Sequence, residues 1–221
     1  MATVMLCLMI ARSAVSSRRS RSSEDNAFWT RESEANSVRR KDISDLDYIR
    51  VPLDSLPMDE LLTHNGKKTY DIILNLSSEN ILNLSSYSNT DLKMMYGPAN
   101  LDELSRCDDN FTTLIRSLHK AGETLTPSGI TATLKKNNGS STPVENDLGE
   151  IDNTASAIKF LEYSISIGSD MSSTYELLGE IYFKTGNRTA FEKLYENADK
   201  LSSISKPVII SKLNSIKNKW K

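Results

Sequence analysis

Apolar residues fall at helical intervals through most of the second half of this 221-residue chain. Phe111, Leu114, Ile115 and Leu118 stand at i, i+3, i+4 and i+7, which lines one face of a helix. Asp109 offers an N-cap before them, and the helix is predicted to end near Gly122 or Leu125. A second helix is predicted over Thr154–Ile167, capped by Asp152 or Asn153 and closed by Gly168. A third starts at Ser172 or Ser173 and runs to Lys184. Gly186-Asn187 turns the chain into a fourth, Arg188–Leu201, and Pro207 opens a last one that reaches about Trp220. This succession implies an all-α fold of antiparallel helix pairs.

The last of these pairs has a recognisable pattern. Tyr175, Leu178, Gly179 and Tyr182 lie on its first helix, and Tyr195 and Ala198 on its second. This arrangement resembles a tetratricopeptide repeat, which carries Leu-Gly and aromatic residues at matching places. Two positions depart from that pattern. Phe191 stands at the small-residue position, with Ala190 beside it, and the closing proline is missing at Ser203, with Pro207 following later. Ala157, Leu161 and Ser164 precede Phe191, Tyr195 and Ala198 by 34 residues, which is that family's period. The resemblance implies a short solenoid: a first repeat split by an insertion, an intact second repeat, and a capping helix from Pro207. It also implies a groove for a peptide. Glu176 and Glu180, with Tyr175, are its groove-side candidates. Two acids there would repel a carboxylate, so a basic or neutral peptide is expected rather than an acidic C-terminal tail.

The remainder divides by composition. Residues 126–150 hold Pro127, Gly129, Asn137-Asn138-Gly139 and Pro143, and read as a loop or disordered insertion. Residues 47–125 form an N-terminal helical part. Within it Asp47–Leu56 reads as extended, Pro57 opens a short helix, Asn65-Gly66 marks a turn, and Lys67–Leu76 is predicted helical. Asn89–Lys93 is predicted to start another helical turn, ended by Gly97-Pro98. The hexapeptide Ile-Leu-Asn-Leu-Ser-Ser occurs at Ile73 and again at Ile81.

At the N-terminus, residues 1–15 include the apolar run Ala2–Ala11, which is about half of the ~20 residues a spanning helix requires. Nothing basic precedes it, unlike a secretory signal. Arg12, Arg18, Arg19 and Arg21 follow it, and basic residues flank spanning helices on the cytoplasmic side. The run is therefore read as the cytoplasmic half of a single-pass anchor whose start lies upstream, with the C-terminal domain cytoplasmic; the alternative is a cytoplasmic chain with an apolar tail. Residues 16–46 read as a polar juxtamembrane linker, interrupted by Phe28-Trp29. These two rings suit either the membrane interface or an anchor onto the domain. The linker followed by Asp45–Pro57 is also similar to single-pass membrane-anchored bacterial proteins, which implies no activity.

Several function classes find no support in the residues. A net charge of −2 lacks the basic excess of a nucleic-acid binder. Two cysteines and two histidines, His64 and His119, give no metal-ligand spacing. No nucleophile, phosphate-loop or dinucleotide motif occurs, so no catalytic residue, cofactor or small-molecule substrate is assigned. The last helix carries Lys206, Lys212, Lys217 and Lys219 opposite Ile209, Leu213 and Ile216. It reads as a solubilising cap, with contact to anionic lipid as the alternative. The expected function is that of a non-enzymatic protein-interaction adaptor or scaffold held at a membrane; the alternative is a cell-envelope component acting by self-association.

Overall fold

The computed structural model describes residues 25–127 and 153–220. The apolar N-terminal run, Arg12, Arg18, Arg19 and Arg21, and most of the 126–150 insertion lie outside the described residues. Among those described, the fold is all-α with no strand. Helix α1 covers residues 25–36. It is followed by α2 (Met58–Thr63), α3 (Lys67–Leu76), α4 (Asn89–Tyr96) and α5 (Leu101–Leu125). After the insertion come α6 (Thr154–Ser166), α7 (Ser172–Lys184), α8 (Arg188–Asp199) and α9 (Lys206–Lys217). Short 3₁₀ turns occupy Pro98–Asn100 and Asn218–Trp220.

The chain forms two compact units. The first joins the described residues up to Leu46 with Leu84–Arg106. Polar side chains hold it together. Ser88 and Asp91 form a capping box at the start of α4, and Arg31 of α1 pairs with Asp91 at 2.6 Å. Glu32 accepts from Thr90 at 2.7 Å and pairs with Lys93, which together hold its carboxyl below the ordinary range. Asn100 is fully buried and saturated. Its amide donates to the carbonyls of Lys41 (2.8 Å) and Tyr96 (2.7 Å), and its oxygen accepts from Arg40 (2.8 Å). A buried amide left unpaired would cost about 1–3 kcal/mol, so this triple contact fixes the chain before α4 to the chain after it. Gly97, at φ +87°, turns between them where a Cβ would lie 2.6 Å from the Arg39 carbonyl oxygen.

Residues 25–36 correct the reading of that stretch as linker: α1 buries Ala35 completely and ties Arg31 and Glu32 to α4. Phe28 and Trp29 stay out of this packing, 55 % and 66 % exposed, with their rings edge to face at 5.4 Å.

The second unit, Asp47–Asn83 with the chain from Cys107 onward, contains the main apolar core. Helix α5, which begins in the first unit and continues from Cys107 in the second, departs from expectation. Asp109 is not a cap but a residue within a helix that already begins at Leu101. Leu104 and Cys107, both fully buried, extend the stripe of Phe111, Leu114 and Leu118 backwards at helical spacing. The start lies instead at the Pro98–Asn100 turn, with Asp102 and Glu103 in the first turn, where acids favour a helix dipole. Near its other end, Gly122 faces Leu161 of α6. A Cβ there would stand 2.6 Å from the Leu161 Cγ, so the missing side chain is what lets α5 and α6 approach.

Helix α7 lies at the centre of the C-terminal part and packs on α6, α8 and α9. Its Tyr175, Leu177, Leu178, Ile181 and Tyr182 are all buried. Gly179 sits where Leu213 and Ile216 of α9 and Phe191 of α8 converge, with neighbours 3.0–3.4 Å from an added Cβ. Asn187 caps α8 by accepting from the Ala190 amide at 3.1 Å. Asn153, at the head of α6, makes no such bond; its amide donates to His64 Nε2 at 2.7 Å.

Candidate functional site

The two sides of α7 meet different surroundings. On one side Gly179 lets α9 lie close, and the acidic candidates face that helix. Glu176 pairs with Lys212 at 2.5 Å. Glu180 is 2 % exposed and pairs with Lys219. The remaining lysines of the last helix are also engaged. Lys206 pairs with Asp199 at 3.2 Å, and the Lys217 ammonium lies 4.6 Å over the Tyr195 ring. Trp220 closes the end, edge to face with Phe183 at 5.2 Å. These glutamates therefore hold a helix of the same chain. They do not stand free to repel an incoming carboxylate, and α9 is not a row of free cations for lipid.

The other side of α7 is open. A groove of about 670 Å³ runs between α6 and α8, with α7 as its floor. Tyr175, Leu178, Tyr182 and Leu194 form its floor and are all buried, 1–4 % exposed, while the half-buried Ile165, Ala190 and Leu201 supply the apolar surface that solvent reaches. Of the three residues singled out for a groove, the structure thus places Tyr175 in this one, while Glu176 and Glu180 are turned to α9.

Both tyrosines keep their protons. Burial, helped by the charge of Asp170, pushes the Tyr175 hydroxyl up to about 12. Burial also raises Tyr182, whose hydroxyl donates to Glu162 at 2.5 Å and so would lose that bond on ionising. One oxygen of Glu162, the single carboxylate lining the groove, thus accepts from within. The rim is formed by Asn187, Lys193, Asn197 and Lys200 of α8 and its cap, all exposed. Comparison of the chain with protein-family models, with curated proteins and with solved structures finds no match. The geometry of this groove therefore carries the functional argument.

Sequence reasoning passed over the rim, although a signal was present. Lys193, Asn197 and Lys200 follow one another at i, i+4 and i+7, a polar stripe beside the apolar Ala190, Leu194 and Leu201. The stripe reads as ordinary solvated helix surface unless the position of α6 is known.

His119 borders the opposite side of α7, with Nδ1 3.3 Å from the Thr174 hydroxyl. Burial lowers its pKa, against the attraction of Glu123, with Lys120 and Lys212 adding repulsion. The folded chain thus prefers the neutral ring. Below the unfolded value of about 6.5 the unfolded chain binds more protons, so stability falls on acidification. Denaturant titrations between pH 7.5 and 5.5 should show a decline that His119→Gln flattens. An equal decline in the variant would assign it to other groups.

Proposed function

We propose that this chain is a non-enzymatic protein-interaction adaptor. Its α6–α9 helices act as a short tetratricopeptide-like array, and its N-terminus holds it at a membrane. The observation that carries the reading is the open groove of about 670 Å³ between α6 and α8, floored by Leu178 and Tyr182 and rimmed by exposed polar side chains. A concave groove with a polar rim suits a segment of another chain, where the half-buried Ile165, Ala190 and Leu201 supply apolar contact and the rim supplies orientation.

Three features support the repeat-like stacking. The 34-residue offset pairs Ala157, Leu161 and Ser164 of α6 with Phe191, Tyr195 and Ala198 of α8. Five of these six are buried, and Tyr195 is half-buried. Gly179 occupies the crossing where Phe191 and α9 meet. Exposed Phe28 and Trp29 support the tether. They follow the arginine-bearing segment in sequence, and an aromatic pair of that exposure suits a membrane interface. Among the described residues no helix is long and apolar enough to cross a membrane.

A photo-crosslinking residue placed at Thr189, on the groove rim, tests the reading in the native cell. It should give a discrete adduct with a different protein, in the membrane fraction, that disappears when Ala190→Arg fills the groove. An adduct of the chain with itself would favour self-association in an envelope assembly. Absence of any adduct would end the adaptor reading, and adducts confined to the soluble fraction would end the tether.

A further inference from the structure

The geometry points to an acidic, partly apolar peptide segment of another protein as the occupant of the α6–α8 groove; this rests on the adaptor reading and supplies its partner chemistry. The first ground is charge. Three charged side chains line the groove: Glu162, Lys193 and Lys200. Glu162 is engaged by the Tyr182 hydroxyl at 2.5 Å. Lys193 and Lys200 form no ion pair among the described residues, although Lys206, Lys212 and Lys219 of the neighbouring helix and its end all do. Lys159, Lys184 and Lys217 are likewise outside any ion pair among the described residues, but of these cations Lys193 and Lys200 are the ones that line the groove.

The second ground is the balance of donors and acceptors. Asn187 spends its side-chain oxygen on the Ala190 amide, which leaves its NH₂ to face outward. Lysine has donors only. Ser166, at the far wall, donates its hydroxyl to the Tyr163 carbonyl at 2.8 Å. The rim on α8 therefore carries more donors than acceptors, Asn197 and Thr189 supplying both, and the surplus suits carboxylates and peptide carbonyls.

Spacing adds a third constraint. Lys193 and Lys200 are seven residues apart on one helix, about 10 Å along its axis. An extended segment of polyproline-II geometry repeats its side-chain direction every third residue, about 9 Å. Acidic residues three apart, with apolar residues between them turned to the half-buried Ala190 and Leu201, would meet both ammonium groups at once.

The test is selection from a random twelve-residue phage-displayed peptide library against the intact, immobilised chain. Enriched peptides should be acidic, with Asp or Glu three positions apart next to an apolar residue. Their binding should weaken as salt is raised, and Lys193→Glu with Lys200→Glu should reduce it at least about tenfold. Lys68→Glu, a surface reversal on α3, should leave it unchanged. Enriched peptides that are neutral or basic would overturn the acidic preference. If their binding is still lost in Ala190→Arg, the adaptor groove survives that result. Peptides indifferent to Ala190→Arg, or no enrichment at all, would remove the groove and the acidic preference together.

Discussion

Gly122→Val should be among the most damaging single substitutions in this chain. The added Cβ would stand 2.6 Å from both Cγ and Cδ2 of Leu161, a side chain with no exposure. A surface leucine could swing away, but this one is enclosed in the core with Ala157 and Phe160. Either α5 and α6 must part or Leu161 must leave its rotamer. Overpacking of this kind costs about 1–3 kcal/mol for small additions, so valine is expected to cost about 3 kcal/mol. For a chain of this size that lowers Tm by roughly 6–12 °C. Gly122→Ala separates the causes. In an open helix it would stabilise by close to 1 kcal/mol through propensity. Here the collision should reverse that sign, and adding Leu161→Ala should make room for the new methyl group. A stabilising Gly122→Ala would mean that α5 and α6 do not meet at this glycine.

That same glycine illustrates where sequence reading succeeds and stops. The apolar positions of α5 to α9 were legible because they recur at helical spacing, and the end at Leu125 agrees with one of the two expected positions. The start of α5 was not legible. Asp108 and Asp109 look like a cap, and nothing local reveals that Leu104 and Cys107 are already buried on the same face. The repeated hexapeptide makes the point most directly. At Ile73 it enters α3 and ends it; at Ile81 it is irregular chain. Ile73 and Ile81 are both fully buried, so each copy contributes its isoleucine to a core. The second copy does so with its backbone bonded outward: Ile49 donates to the Ile81 carbonyl at 2.9 Å, and Leu82 donates to that of Cys107 at 3.2 Å. Six residues of equal propensity adopt two structures because tertiary partners decide the outcome.

The candidate site divides along the same line. Tyr175 could be placed from its helical register alone. The open side of α7 could not, because a helix with buried residues on both flanks gives no local sign of which flank its own chain will cover. Glu176 and Glu180 look like free groove acids until Lys212 and Lys219, 36 and 39 residues further on, are brought against them. Lys193 and Lys200, which form no ion pair among the described residues, gain meaning only from the wall that α6 builds opposite them.

Lys219→Met tests that latch. Glu180 is 2 % exposed, and one of its oxygens already lacks a partner among the described residues, so the Lys219 ammonium is its principal compensation. Removing one member of a fully buried pair costs about 3–5 kcal/mol. The Lys219 side chain is 34 % exposed, and water reaching the vacated position lowers the expected cost to about 2 kcal/mol. Glu180→Gln in the same background should recover about half of it, because a neutral amide is far cheaper to bury than a lone carboxylate. Denaturant unfolding of the two single variants and the double variant measures this coupling. Loss of the latch should also loosen α9 from α7, seen as faster amide exchange over Ile209–Ile216 while α6 stays protected. If Lys219→Met is neutral and exchange does not change, α9 is held by its apolar face alone.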